Sequence, residues 1–128
     1  MTVESKQNTI LVIEDEKFLV EAYALKLKEA GYIIESALDG EDALEKLNAG
    51  LRPIVILLDI LLPKIGGFQV LESIKRKPEL KSIPIIILSN LGQEADRKRD
   101  LELGADDYII KADITLEDII TKIQKVTR

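Results

Sequence analysis

Short apolar stretches alternate with amphipathic ones along this chain at intervals of roughly twenty to twenty-five residues, and that alternation limits the fold more than any other feature. The first apolar stretch, Thr9-Ile10-Leu11-Val12-Ile13, is rich in β-formers and apolar on both faces, as a central parallel strand must be. Glu14 and Asp15 end it. From Glu16 to Ala30, Val20, Tyr23, Ala24 and Leu27 recur at helical spacing while Glu21, Lys26 and Lys28 fall elsewhere, so one stripe is buried and Gly31 closes the helix. Tyr32 to Ala37 reads as a second strand. Asp39-Gly40 opens a helix carrying Ala43, Leu44 and Leu47 that stops at Gly50.

The pattern then repeats. Pro53-Ile54-Val55-Ile56-Leu57-Leu58 is a strand ending at Asp59, with Pro at its first position, where no ladder hydrogen bond is lost. A helix follows Gly66-Gly67 and ends before Pro78. Pro84-Ile85-Ile86-Ile87-Leu88 is a fourth strand, ending at Ser89-Asn90, and Gln93 to Leu103 predicts a fourth helix capped by Gly104. Tyr108-Ile109-Ile110 is the last strand, ending at Lys111. Thr115 and Asp118 form a capping-box pattern that starts a final helix with Leu116, Ile119, Ile120, Ile123 and Val126 on one face. Five strands each followed by a helix predict a doubly wound α/β fold, because parallel strands need crossovers and right-handed crossovers cover both faces of the sheet. A single domain over 9–128 is expected, behind a flexible tail at 1–8 and with no output domain.

Composition narrows the chemistry. The 128 residues include no His and no Cys, which excludes Ser-His-Asp and Cys-His catalytic units and the usual zinc ligand sets. Carboxylates, hydroxyls, Lys and hard metal ions remain. A net charge of −5 argues against broad binding to nucleic acid or to an anionic membrane, and neither a signal peptide nor a membrane span is visible. A cytoplasmic protein is expected.

In open α/β sheets ligands bind beyond the carboxyl ends of the strands. Glu14 and Asp15 stand there after the first strand, Asp59 after the third, Ser89 after the fourth and Lys111 after the fifth. Singly, Asp15 reads as a helix cap, Ser89 as a turn residue and Lys111 as a solvated charge. Asp59 is harder to explain that way, since a carboxylate behind an apolar strand is partly desolvated and needs compensation. Together, three carboxylates and one ammonium sum to −2, a charge that a hard divalent ion such as Mg²⁺ offsets.

The residues Ile10 to Glu16, Leu57 to Pro63 with Gly66-Gly67-Phe68, Ile85 to Ser89, and Gly104 to Lys111 resemble the motifs of response-regulator receiver domains (CheY-like) of two-component signal transduction, in order, over about residues 9 to 126. The resemblance implies a flavodoxin-like sheet of order 2-1-3-4-5 with five helices. It implies Asp59 as the acceptor of a phosphoryl group from a phosphohistidine on a sensor histidine kinase or histidine phosphotransfer protein. It further implies Mg²⁺, with Mn²⁺ as a substitute, held by Glu14, Asp15, Asp59 and the backbone carbonyl of Leu61. Lys111 would pair with the Asp59 carboxylate and then with the phosphoryl oxygen. Ser89 would be the switch hydroxyl and Tyr108 the aromatic that turns inward with it, delivering the signal through the last two strand-helix units to a protein target.

The chain departs from the family pattern in three places. Glu14 stands where Asp is common, Asn90 where a small residue usually follows the switch hydroxyl, and Ala112 where Pro usually follows Lys111, which puts a cis Lys111-Ala112 bond in question. Related readings are a phosphate-sink or phosphorelay receiver, or an interaction module that works without phosphorylation. A haloacid-dehalogenase-type phosphatase wants a second Asp two residues after the nucleophile, where this chain has Leu61. A flavin or nucleotide site wants a glycine-rich loop after the first strand, where Glu14-Asp15-Glu16 would repel phosphate. Turnover as an enzyme is therefore not expected beyond self-phosphorylation and slow autodephosphorylation.

Overall fold

A computed structural model describes residues 8–60, 66–89, 104–111 and 115–127. Its elements are β1 (Thr9–Ile13), α1 (Lys17–Glu29), β2 (Ile33–Ala37), α2 (Gly40–Asn48), β3 (Val55–Asp59), α3 (Gly67–Arg76), β4 (Ile85–Ser89), β5 (Asp107–Ile110) and α4 (Leu116–Val126). The five strands form one parallel sheet in the order β2-β1-β3-β4-β5, as the resemblance implied. The helix expected at 93–103 lies outside the described residues, as do Leu61, Asn90, Ala112 and all of the expected tail except Asn8.

Alternation along each strand divides the core into two layers. Leu11, Ile13, Ile56, Leu58, Ile85 and Ile87 face α2 and α3, where they meet Ala43, Leu47, Val70, Leu71 and Ile74. Ile10, Val12, Val55, Leu57, Ile86 and Leu88 point the other way, onto Tyr23 and Leu27 of α1 and Ile119 and Ile123 of α4. The central strands are apolar throughout because both faces are covered. Among the described residues no helix is long and apolar enough to cross a membrane.

Helix ends follow local chemistry. Asp39 caps α2 by accepting from Asp42 N at 2.8 Å, and Thr115 and Asp118 cap α4 reciprocally. The capping box read in the sequence is therefore present, each such cap contributing about 1 kcal/mol. The α1 stripe is narrower than the spacing suggested: Tyr23 and Leu27 are buried, while Val20 and Ala24 are only half-buried.

Strand limits differ from the sequence reading by one or two residues. Tyr32 stays outside β2 because its N–H closes the end of α1 on Leu27 O, and β3 begins at Val55 rather than Pro53. Asp59 and Ser89 belong to the strands as their last residues, and Asp107 begins β5. Asp59 is thus fixed by the ladder, paired in register with Leu88, instead of hanging beyond it.

Candidate metal and phospho-acceptor site

Sheet order sets the site. The chain leaves β1 for β2 on one side and β3 for β4 on the other, so the connections that follow the paired ends of β1 and β3 lead apart and leave a crevice there. Register sharpens this: Ile13 lies beside Leu58, so Glu14 and Asp59, each one residue further on, emerge next to one another. Ser89 lies beside Ile110, which puts Lys111 one residue beyond the end of β4.

Carboxylate oxygens of Glu14, Asp15 and Asp59 all lie within 4.8 Å of one another. Glu14 is 0% and Asp59 4% exposed, whereas Asp15 is open to solvent. The ammonium of Lys111, its side chain 13% exposed, is 2.8 Å from Glu14 Oε1 and 3.2 Å from Asp59 Oδ2. Its contact with Asp59 is a hydrogen bond. The contact with Glu14 is an ion pair, and Glu14 Oε1 remains a buried oxygen without an aligned hydrogen-bond donor. Glu14 Oε2 accepts from the Glu16 backbone N–H at 3.2 Å.

Electrostatics follow from burial. Desolvation pushes the Glu14 carboxyl up from 4.5 to about 7, Lys111 pulls it back, and the Asp59 charge adds to the rise. Burial works against the Lys111 charge, but Glu14 and Asp59 outweigh it and raise that pKa. An acid whose folded pKa exceeds its unfolded value binds its proton more tightly when folded. Stability is then full below the unfolded value and declines as pH rises toward the folded one. For Glu14 that window runs from 4.5 to about 7. The metal-free protein is expected to lose up to about 3 kcal/mol across it, and Glu14→Gln to remove most of that loss. Urea unfolding in chelator at about pH 5 and about pH 8 measures both, and equal losses in the two proteins would place the cause elsewhere.

The donor set suits a hard divalent ion. It offers clustered carboxylate oxygens, a buried Glu14 oxygen paired with Lys111 but with no aligned hydrogen bond, and one solvent-facing side, Asp15, where an ion can keep its waters. When all three carboxylates are ionised, the single ammonium leaves −2 to be neutralised.

Of the residues singled out in the sequence, Glu14, Asp15, Asp59 and Lys111 meet at this edge. Ser89 reaches the same edge as the last residue of β4, though its side chain is outside the described set, and so is the Leu61 carbonyl. Tyr108 is 6% exposed and packs in the α2–α3 layer of the core. The close tie between Lys111 and Glu14 was not anticipated, although the extra methylene of Glu over Asp is its signal. Nor was the role of Gly67, whose N–H donates to Ile60 O at 3.1 Å. A Cβ at Gly67 would lie 2.6 Å from Ile60 Cα and 2.8 Å from Asp59 O, so the start of α3 is pressed against the backbone that carries the central carboxylate.

Comparison with known proteins agrees with this fold. The chain is 42% identical over 119 residues to the transcriptional regulatory protein DltR of Streptococcus agalactiae, covering 93% of this chain and 51% of DltR. It thus spans about half the length of that relative. The crystal structure of the signal receiver domain of a signal transduction histidine kinase from Syntrophus aciditrophicus has a TM-score of 0.85 at 32% identity, covering 94% of this chain and 89% of that one. The chemotaxis response regulator CheY4 of Vibrio cholerae gives a TM-score of 0.85 at 25% identity, covering 94% and 98%. The family model of the response regulator receiver domain matches residues 10–124, and the chain belongs to that family.

Proposed function

We propose that this receiver domain accepts a phosphoryl group on Asp59 from a phosphohistidine of a partner kinase or phosphotransfer protein. The observation that carries the reading is the convergence of Glu14, Asp15, Asp59 and Lys111 on one edge. In the transfer an Asp59 carboxylate oxygen forms a bond to phosphorus as the donor's P–N bond breaks, and the imidazole leaves with the electron pair. Such a transition state asks the protein mainly for positioning and for cationic stabilisation of the equatorial oxygens. Asp59 is positioned by the β3 ladder, and Lys111 already sits within hydrogen-bond distance of it. Glu14, Asp15 and Asp59, with the Leu61 carbonyl, would hold Mg²⁺ or Mn²⁺, which supplies charge neutralisation that the chain alone lacks.

The phosphoryl group adds a charge of about −2 at this edge. Ser89, the last residue of β4, would answer it, and Tyr108 lies one strand away on β5, so the change would be read out through β4, β5 and the segments that follow them. Relatives that are longer and named as transcriptional regulators extend the range of outputs from a separate protein target to a further segment or nucleic acid. The acceptance step is the same in each.

The test is intact mass after incubation with acetyl phosphate. Addition of one phosphoryl group is expected in Mg²⁺ and none in chelator, with hydroxylamine removing it as an acyl phosphate. A mass gain that ignores Mg²⁺, or that survives hydroxylamine, would refute the reading. Phosphotransfer profiling against the histidine kinases of the source organism then identifies the donor.

A further inference from the structure

The large apolar side chains left exposed among the described residues, Phe18, Leu25, Ile33 and Leu38, all belong to the β2 border of the molecule. Two lie on α1, which packs against β2, and two at the ends of the strand itself. β2 closes the sheet on this side, pairing with β1 alone. Ile33 N–H donates to Asn8 O and Ala37 O accepts from Glu14 N–H, so Ile33, Glu35 and Ala37 direct their main-chain groups at β1. Ile34 and Ser36 therefore direct theirs outward, as alternate residues of an edge strand must. Open hollows flank the strand, one of about 290 Å³ beside Val20 and Leu38 and one of about 400 Å³ beside Glu35 and Leu51, so the side chains of an added strand have room on both faces. One group stands in the way. The Lys46 ammonium donates to Ser36 O at 2.6 Å, on the outward side, and lies 3.9 Å from Glu35 Oε1.

We propose that the β2 edge is a pairing surface for a second copy of this chain, antiparallel about Ser36, which the Lys46 ammonium holds closed. A two-fold axis at Ser36 brings its N–H and O to the same groups of the copy. Ile34 then lies beside the copy's Leu38 on one face of the sheet, and Glu35 beside the copy's Ala37 on the other. The exposed Leu38 is covered in this register and no like charges face each other along the strands. An axis at Glu35 would instead set two carboxylates opposite one another, which is destabilising. At the Ser36 axis both Lys46 ammoniums converge, each on an oxygen that the join needs and each repelling the other. Two short strands bury less than the roughly 1,200 Å² of a stable interface, so a single charge can decide the outcome. Antiparallel pairing puts the two acidic edges at opposite ends of the joined sheet, both open, and the inference does not depend on the phosphoryl reading.

Sedimentation velocity of the full chain tests this. At about 200 µM wild type is expected to run as a monomer and Lys46→Met, which keeps an apolar stem and loses the charge, as a dimer whose self-association is at least about tenfold tighter. Ser36→Pro added to Lys46→Met is expected to restore the monomer, because it deletes an outward N–H that the β1 ladder does not use, a change that an edge strand tolerates. Far-ultraviolet circular dichroism checks the fold of each variant, and Lys46→Gln repeats the measurement should Lys46→Met fail to fold. Wild type that already dimerises, or charge-free variants that stay monomeric, overturns the proposal. A dimer that survives Ser36→Pro overturns it as well, by placing the association on another surface such as the exposed Phe18 and Leu25.

Discussion

Asp59→Asn is expected to abolish phosphoryl uptake from acetyl phosphate in Mg²⁺, by at least about 10³-fold, since removing a nucleophile leaves only the residual contribution of the surrounding site. The substitution is nearly isosteric and Asp59 is buried at the end of β3, so the backbone ladder that carries it has no reason to move. An amide oxygen is a poor nucleophile at phosphorus and a weaker partner for a divalent ion, so the proposed acceptor and one proposed metal ligand are lost at once. The folded state does not lose accordingly. Asp59 raises the pKa of Glu14 through charge repulsion, and neutralising it relieves that repulsion, so metal-free stability near neutral pH is expected to hold or rise. Intact mass and a urea melt on the same preparation separate the two effects. Full labelling of a well-folded Asp59→Asn protein would remove Asp59 from the mechanism.

Gly67→Ala is expected to be the most damaging single-methyl change near the site. The added carbon would lie 2.6 Å from Ile60 Cα, 2.8 Å from Asp59 O and 2.9 Å from Ile60 O, all of them backbone atoms that no rotamer change can move aside. Either α3 shifts outward or the end of β3 gives way, and overpacking of this kind costs about 2–3 kcal/mol. Since the displaced backbone carries Asp59, Mg²⁺ affinity should fall along with the urea midpoint. Gly66→Ala is the control: nothing lies within 4 Å of a Cβ there, and the loss should stay under about 1 kcal/mol. Similar midpoints for the two variants would mean that the close approach of α3 to β3 does not constrain the site.

Much of this molecule is legible from residue order alone, for a physical reason. Strands buried on both faces must be apolar throughout, so Ile10 to Ile13, Val55 to Leu58 and Ile85 to Leu88 announce themselves, and the polar residue that ends each run marks the edge where ligands gather. The site was legible for the same reason, because Glu14, Asp59 and Lys111 interrupt apolar runs. What stayed hidden depends on contacts between residues distant in sequence. Nothing near Glu14 in the chain says that it turns toward a lysine following β5, and nothing near Gly67 says that Ile60 lies against it. The exact strand limits were hidden as well, since Tyr32 is drawn from β2 by a bond to α1 and Asp59 into β3 by pairing with β4.

The span of the Lys111 contacts gives the acidic edge a second meaning. Strands β3 and β4 stand between β1 and β5, and at ladder spacing that separates the outer pair by about 14 Å, yet the ammonium that follows β5 touches the carboxylate that follows β1. That meeting requires the correct sheet order, the native twist and the right register in every ladder between. A slip of one residue in any of them would move Lys111 along the sheet by about 3.3 Å relative to its partners and turn alternate side chains to the wrong face. The charge cluster therefore works as a checksum on strand pairing: Glu14, Asp59 and Lys111 meet at this edge only when three separate ladders have closed correctly.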